Sequence, residues 1–333
     1  MFNFRKIKEA FIIAEAGVNH EGSLKEALKL VKNAKKSGAH AIKFQTYNSE
    51  LYVSESQKER LERVKRFELS YKQFEELIKE CKKNKIIFFS TPLDKKSVDF
   101  LSNKVPFFKI SSGDITNYPL IEYIAKKNKP IILSTGGATI NEIDKAINTI
   151  KRYTNISLDK YLCIMHCVTL YPTLPSDADL LNIKLLQEKY NFTIGYSDHT
   201  IGLQAPLIAR ILGAKIIEKH FTNSRKNKSF HDHHISVNPK ELHELIKMIN
   251  NFESYLGNSS RIITKKIKKN LPYLRRSYAL KENKKKNHKI GQNDLILLRP
   301  ATGFSTLQRN KIVGKRLRKD FNSHLIIKKN NLL

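Results

Sequence analysis

Carboxylate and imidazole side chains recur at the ends of short apolar runs in this sequence. Glu15 closes the run FIIAE, and Glu218 and His220 close the run KIIEKH. A carboxylate in such a setting can donate or accept a proton, because burial and neighbouring charges shift its pKa. The spacing does not decide between Glu15 and Glu218, so both are candidate catalytic residues.

Two histidines occupy matching positions, because His199 and His220 each follow an apolar run and lie 21 residues apart. Adjacent parallel strands would bring them within reach of one divalent ion, and imidazole ligands with water and substrate oxygens suit a transition metal. A hydrogen-bonded core histidine is the competing interpretation for either residue alone. The later HDHH segment could also bind a metal, but it is more simply a loop that offers Asp232 to a substrate hydroxyl.

Two lysines, Lys43 and Lys109, also lie near the ends of apolar runs. A buried ammonium group needs an anionic partner, which a bound phosphate or carboxylate would supply. For either lysine alone, a solvated loop position is the competing interpretation. Hydroxyl groups at neighbouring run ends favour an anion site, and they belong to Ser90, Thr91, Ser112, Ser134 and Thr135.

The elements that must position these residues are short β-branched runs that alternate with amphipathic helical patterns. Eight runs predict strands, at residues 11–15, 41–45, 86–91, 107–111, 130–135, 162–166, 192–197 and 215–220. Continuous apolar runs without hairpin signals are typical of parallel strands buried on both faces. Eight such units predict an α/β fold, the (β/α)8 TIM barrel, whose chemistry lies at the carboxyl ends of its strands. A doubly wound sheet is the alternative, but no GxGxxG follows the first strand.

The pattern predicts two domains, with the barrel at 1–261, a basic linker at 262–274 and a small β-rich domain at 275–333. The 333 residues contain 61 basic and 31 acidic side chains, a net charge of +30, of which residues 265–333 carry +17. A nucleic-acid-binding protein is therefore one alternative. We expect no nucleic-acid partner, because no aromatic side chains are interleaved with the basic ones.

Other features bear on the cellular compartment. No run of 18 apolar residues exists, and the first residues lack the pattern of a signal peptide. Three cysteines, an odd and low number, are typical of a reducing compartment. The sequence therefore predicts a cytoplasmic protein with no membrane association.

Several stretches together resemble the sialic acid synthase family, which makes N-acetylneuraminate and related nonulosonates. The resemblance covers residues 12–256, and it resumes in RRSYAL and LRPATGF, which are similar to the family's C-terminal antifreeze-like (SAF) domain. The stretches that carry it are IIAEAGVNHEGSL, IKFQTY, FSTPLDKKSVDFL, FKISSGD, LSTGG, HCVTLYPT, GYSDHT and IEKHFT.

This resemblance implies a reaction in which phosphoenolpyruvate condenses with an N-acetylmannosamine-type sugar and water. The products would be a nine-carbon α-keto acid and phosphate. It also implies a divalent metal, Mn²⁺ in the first place and Mg²⁺ or Co²⁺ as alternatives, held by His199 and His220. Glu15 matches the family's essential glutamate.

The resemblance further assigns substrate contacts. The positions that match the phosphoenolpyruvate contacts are Lys43, Thr91, Lys109, Ser112, Ser134 and Ser197. Gln45, Tyr171 and Asp232 are expected on the substrate side of the site. Arg299, in RPATGF, resembles an arginine that the SAF domain of a partner subunit inserts over the sugar's acyl group. A domain-swapped homodimer is therefore expected.

The acceptor sugar stays open. The family's usual STGM is STGG here, with Gly137 in place of methionine, and Thr169 stands where some members have asparagine. A diamino sugar leading to legionaminate or pseudaminate is therefore an alternative to N-acetylmannosamine. A related phosphoenolpyruvate-dependent synthase of shorter sugar phosphates is a further enzyme alternative. The SAF-like tail and the GVNHEG and SDHT motifs argue against it.

Overall fold

The computed structural model describes residues 1–257 and 261–333, and it divides the chain into two compact units, Met1–Gly257 and Asn258–Leu333. The first unit confirms the predicted α/β barrel. Its strands are β1 Phe11–Gly17, β2 Ala41–Thr46, β3 Ile87–Pro92, β4 Phe108–Ile110, β5 Ile131–Ser134, β6 Leu162–Cys167, β7 Thr193–Asp198 and β8 Ile216–His220. Each strand lies within two residues of its predicted position.

All the strand pairs in this sheet are parallel, and the order of neighbours is β3-β2-β1-β8-β7-β6-β5-β4. The end strands β3 and β4 lie against each other and close the barrel. Nearly every strand residue is buried, because side chains on one face fill the barrel and those on the other pack under helices. The carboxyl ends of all eight strands therefore meet at one rim.

Helices surround this sheet. They are α1 Leu24–Ser37, α2 Ser49–Tyr52, α3 Lys58–Phe67, α4 Tyr71–Lys83, α5 Lys95–Ser102, α6 Tyr118–Ala125, α7 Ile140–Tyr153, α8 Leu158–Tyr161, α9 Asn182–Lys189, α10 Gln204–Ile211, α11 His231–Ile235 and α12 Pro239–Leu256. Sequence signals set several ends, as in α12, where the Asn238 side chain accepts hydrogen bonds from the first-turn amides and Pro239 begins the helix.

Four of these helices, α2, α3, α8 and α11, were not predicted. The most consequential is α3, which lies in the long connection between β2 and α4. Of its ten residues only Leu61 is fully buried, while Val64 and Phe67 are half-buried. Its apolar stripe is too short and too polar on its flanks to stand out from the sequence.

A β-bulge interrupts the pairing of β1 with β2 between Glu15 and Gly17. Gly17 has a φ of +50°, in the left-handed region that glycine tolerates best. A Cβ there would lie 3.2 Å from Oε1 of Glu15. Glycine therefore lets the chain turn away from the strand directly beside the Glu15 carboxylate.

The described residues of the second unit include the α-helix α13 Lys265–Leu274 and an antiparallel pair, β9 Ser277–Leu280 and β10 Leu295–Leu298. Its apolar core includes Leu280, Ile290, Leu317 and Ile327. The stretch assigned to a linker is thus largely helical; the Thr264 side chain accepts a hydrogen bond from the amide of Ile267 and caps the helix, which contains Pro272 near its end.

Short 3₁₀ helices complete the structure at Phe4–Lys6, Glu55–Gln57, Ser112–Asp114, Pro175–Asp177, Gln292–Asp294, Thr306–Lys311 and Lys329–Asn331. In the part of the chain that the structure describes, no helix combines the length and the apolar character needed to cross a bilayer.

Candidate active site

A cavity of about 380 Å³ opens at the rim formed by the carboxyl ends of the barrel strands. Its size falls in the range of small-molecule sites, about 300–1,000 Å³. It brings together these sequence-predicted residues: Glu15, Lys43, Gln45, Thr91, Lys109, Ser112, Ser134, Tyr171, Ser197, His199, Glu218, His220 and Asp232. Arg299 belongs to the second unit, where it follows β10, and its role stays a prediction.

Four buried charges form the floor of this cavity, and we call them the inner quartet: Glu15, Lys43, Lys109 and Glu218. Lys43 Nζ lies 2.9 Å from Glu15 Oε1 and 3.5 Å from Glu218 Oε1. Lys109 Nζ donates to both oxygens of Glu218, at 2.9 and 3.0 Å. No side chain in the quartet is more than 6% exposed. The anionic partners of the two lysines are thus the two glutamates, which the sequence analysis had considered only as acid and base.

The two glutamates differ in their pKa. Burial raises the pKa of Glu15 to about 7, although Lys43 opposes the shift. Burial acts in the same direction on Glu218, but the ammonium groups of Lys109 and Lys43 outweigh it and lower its pKa to about 2. Glu218 is therefore a fixed anion, whereas Glu15 exchanges a proton near neutral pH. Environments that separate two pKa values in this way are typical of acid–base sites.

Some buried polar atoms of the cavity have no hydrogen-bond partner among the described residues. They include Oε2 of Glu15 and Oγ of Ser134. Leaving such atoms unpaired is costly, so they indicate that a polar ligand completes the site.

Not every hydroxyl group of the predicted anion site faces the cavity. Ser90 Oγ donates to the carbonyl oxygen of Phe44, and Thr135 Oγ1 donates to that of Met165. These two hydroxyl groups therefore pair with backbone carbonyl oxygens at the strand ends and are not donors to a ligand in the cavity. By contrast, Thr91 Oγ1 accepts from Lys43 Nζ at 3.3 Å, and Ser197 Oγ donates to Glu218 at 3.0 Å.

Close packing holds Ser112 in place. Its Oγ lies 2.9 Å from Cys167 Sγ and accepts from the amide of Gly136, also at 2.9 Å. A Cβ at Gly136 would lie 2.5 Å from Cys167 Sγ and 3.0 Å from Ser112 Oγ. The turn after β5 therefore needs glycine at this position.

The rings of His199 and His220 lie 5.2 Å apart between centroids, on the adjacent strand ends of β7 and β8. His199 Nδ1 donates to the carbonyl oxygen of Val168 at 2.5 Å, which leaves Nε2 as the nitrogen with a lone pair. Burial lowers the pKa of both histidines, that of His220 to about 3, so both rings are neutral at pH 7. Nδ1 of His220 is buried without a hydrogen-bond partner.

These properties fit a divalent metal, because neutral imidazoles are ligands and a backbone carbonyl commonly fixes the ligating tautomer. Over residues 1–257 and 261–333, no group of three or more His, Cys, Asp or Glu side chains is arranged around one metal position. His199 and His220 are therefore the residues that would hold such an ion.

Tyr171 and Asp232 adjoin the histidine pair. The Tyr171 ring lies 4.1 Å from the His199 ring between centroids. Asp232 Oδ2 is 3.8 Å from His220 Nδ1, and Oδ1 is 2.5 Å from His231 Nδ1. Burial raises the pKa of Asp232, but the neighbouring His231 and His220 rings outweigh it and lower the pKa below its ordinary value. Asp232 is thus an ionised acceptor at the cavity wall.

Behind the histidines, a second ion pair links the two strands. Lys219 Nζ donates to Asp198 Oδ2 at 2.7 Å, and both side chains are 0% exposed. Asp198 also accepts from the Tyr196 hydroxyl and the Thr200 amide, each at 2.9 Å. Because Asp198 precedes His199 and Lys219 precedes His220, this pair fixes the spacing of the two rings.

Sequence reasoning missed the outer wall of the cavity. We call this wall the outer compartment; it is lined by Tyr47, Tyr52, Arg60, Arg63, Val64, Phe67 and Phe230. Its apolar members pack together in a small cluster apart from the barrel core, and the Phe67 and Phe230 rings meet edge to face at 5.2 Å. The spacing of Leu61, Val64 and Phe67 on α3 was the available signal.

The chain is similar to several known proteins. A model of the NeuB family matches residues 30–261. The N,N'-diacetyllegionaminic acid synthase of Legionella pneumophila is 40% identical over 324 residues, which cover 92% of this chain and 90% of that protein. The enzyme of the same name from Campylobacter jejuni is 37% identical over 336 residues, with coverage of 97% and 100%.

A solved structure is similar as well. It is the crystal structure of an N-acetylneuraminic acid (sialic acid) synthetase from Leptospira borgpetersenii in complex with citrate. It shares 38% identity with this chain at a TM-score of 0.74, covering 80% of this chain and 91% of that one.

Proposed function

The chain belongs to the NeuB family, and from that premise we propose that it condenses phosphoenolpyruvate with an N-acylated amino sugar and water. The products are a nine-carbon α-keto acid of the nonulosonate class and inorganic phosphate. The observation that carries the proposal is the inner quartet, with its two buried ammonium groups beside the unpaired Glu15 Oε2 and Ser134 Oγ. Buried lysines and free hydroxyl groups are what a small molecule with a phosphate and a carboxylate requires.

Each side chain then has a definite task. Lys43 and Lys109 bind the anionic groups of phosphoenolpyruvate, with hydroxyl donors from Thr91, Ser112, Ser134 and Ser197. The methylene carbon of phosphoenolpyruvate forms a bond to the aldehyde carbon of the open-chain sugar. Water adds at the carbon that bears the phosphate, and cleavage of the carbon–oxygen bond releases phosphate.

Glu15 transfers the proton that this reaction requires. Its raised pKa lets it carry a proton at neutral pH and transfer it at the reacting carbon or at the phosphate oxygen. Glu218 stays ionised and keeps Lys109 charged and in position. Gln45, Tyr171 and Asp232 orient the sugar.

His199 and His220 would hold the divalent metal, Mn²⁺ in the first place. When bound, such an ion polarises the sugar aldehyde as a Lewis acid. The two rings contribute what the ion needs: neutral nitrogens, a fixed tautomer at His199 and a rigid spacing set by Asp198 and Lys219.

Two finer parts of the proposal rest on the resemblance and on the relatives. The acceptor is an N-acetylmannosamine-type sugar or a diacetamido sugar, and the two synthases named above favour the second. Arg299 of a SAF-type second unit would contact the sugar's acyl group in a swapped homodimer.

The direct test is phosphate release from phosphoenolpyruvate, measured with acylated mannosamines and diamino sugars, with and without Mn²⁺. We expect release that depends on both the sugar and the metal, with the bridging ¹⁸O of labelled phosphoenolpyruvate recovered in phosphate. The His199→Ala/His220→Ala variant should be inactive, whereas His243→Ala, on the exposed face of α12, should keep full activity. No release with any sugar, or an active double variant, contradicts the proposal.

A further inference from the structure

The proposed reaction uses the inner quartet and the hydroxyl groups around it, and it assigns no role to the outer compartment. Its wall is aromatic and aliphatic, since Tyr47, Val64, Phe67 and Phe230 pack together there. Phosphoenolpyruvate consists of a phosphate, a carboxylate and a two-carbon vinyl unit, so it gains little from such a wall. The outer compartment therefore suits part of the acceptor sugar, and that part must carry an apolar group.

Two cations, Arg60 and Arg63, line the cavity beside this apolar wall. Arg63 is half-buried and lines the cavity, and it makes no ion pair or hydrogen bond with any residue in the described ranges. Its neighbour Arg60 differs, because it is exposed and donates to Gln57 Oε1 at 3.2 Å and to the Tyr52 hydroxyl at 3.4 Å. A guanidinium has five N–H donors and no acceptor, so Arg63 is prepared to donate to a ligand oxygen.

An apolar wall next to an unpaired donor fits an N-acyl group, whose methyl is apolar and whose carbonyl oxygen accepts hydrogen bonds. Phosphoenolpyruvate contains no nitrogen, so every N-acyl group of a diacetylated product must enter with the acceptor. A diacetamido acceptor carries one such group beyond what N-acetylmannosamine offers.

We propose that the outer compartment binds this second N-acyl group, with Arg63 donating to its carbonyl oxygen. The enzyme thereby selects a diacetamido sugar over a monoacetylated one. The inference rests on the proposed function and names the substrate class of the same site.

The test compares the wild type with Arg63→Gln and Arg63→Lys. Arg66→Gln is the matched control, because Arg66 is exposed on the same helix and does not line the cavity. Phosphate release is measured with a 2,4-diacetamido hexose, N-acetylmannosamine and N-acetylmannosamine 6-phosphate. Equilibrium titration of each sugar in the metal-free protein gives affinities without turnover.

We expect the wild type to bind the diacetamido sugar at least about tenfold more tightly than N-acetylmannosamine, which corresponds to one hydrogen bond from a charged donor. Arg63→Gln should lose that preference, with KM for phosphoenolpyruvate unchanged and N-acetylmannosamine bound as before. Arg63→Lys should restore part of it, and Arg66→Gln should retain all of it.

Several results would overturn the inference. One is equal affinity of the wild type for the mono- and diacetylated sugars, and another is a loss in Arg63→Gln that falls equally on every sugar or on phosphoenolpyruvate. A preference of the wild type for the phosphorylated sugar would assign Arg63 to a phosphate instead. If no sugar supports phosphate release but the titrations show the expected pattern, the proposed function fails while the sugar site stands.

Discussion

The buried ion pair between Asp198 and Lys219 allows a quantitative test of how the barrel positions its histidines. Both side chains are 0% exposed, and Nζ lies 2.7 Å from Oδ2. Removing one partner of such a pair costs about 3–5 kcal/mol, because the remaining charge stays buried without compensation. Total stabilities are about 5–15 kcal/mol, so either single variant should lose a large part of the free energy of unfolding.

The surroundings of each charge predict an order. In Lys219→Met, Asp198 keeps donors from the Tyr196 hydroxyl, the Thr200 amide and the Thr200 hydroxyl, so the cost should be about 3 kcal/mol. In Asp198→Asn, the Lys219 ammonium keeps only the carbonyl oxygen of Thr200 as a full acceptor, so the cost should approach about 5 kcal/mol.

The double variant Asp198→Asn/Lys219→Met removes both charges and retains an oxygen acceptor for Tyr196 and Thr200. It should cost no more than about 2 kcal/mol, so the coupling energy of the cycle should exceed about 3 kcal/mol. Urea unfolding followed by far-ultraviolet circular dichroism measures the four stabilities, and phosphate release reports the effect on the site. Additive single costs, or a Lys219→Met cost below about 1 kcal/mol, would refute the reasoning.

Two further predictions concern the inner quartet and its surroundings. The pKa of Glu15 is raised to about 7 from 4.5, so the folded protein binds a proton that the unfolded chain has released. The free energy of unfolding of the metal-free protein should therefore fall by up to about 3 kcal/mol as the pH rises from 4.5 through 7, and Glu15→Gln should lack this decline. Urea unfolding at pH 5 and pH 8 checks it, and the same pH dependence in both proteins contradicts it. Gly136→Ala should raise KM for phosphoenolpyruvate about tenfold, because the new methyl displaces Ser112 and Cys167. Gly113→Ala, whose added Cβ would meet no atom within 4 Å, is the control for stability, and an unchanged KM in Gly136→Ala would be the contrary result.

The barrel could be predicted because its determinants are local. Each strand is a short β-branched run, and each run ends in polar residues that the rim of a parallel barrel gathers into one place. His199 and His220 could thus be placed together from their positions after two consecutive strands. In the structure the centroids of their rings lie 5.2 Å apart, as the positions of the two strands predict.

The pairing within the inner quartet could not be predicted, because it runs across the barrel. Lys109 on β4 meets Glu218 on β8, and three strands separate β4 from β8 in either direction around the closed sheet. No periodicity in the sequence reports which side chains meet across the interior. Arg63 was missed for a different reason, since α3 buries only Leu61 fully and the helix resembles a solvated segment in composition.

The inner quartet has a consequence for selectivity. When Glu15 is ionised, the two ammonium and two carboxylate groups sum to zero formal charge, and each lysine is paired with an anion that belongs to the protein. An incoming anion therefore competes with Glu15 and Glu218 for the N–H donors of the two ammonium groups. A lone chloride, sulfate or phosphate ion makes few contacts in this competition. A ligand that contacts both lysines and the unpaired hydroxyl of Ser134 at once makes more of them and binds more tightly. The floor of the cavity therefore favours a ligand with several polar or anionic groups over a simple anion.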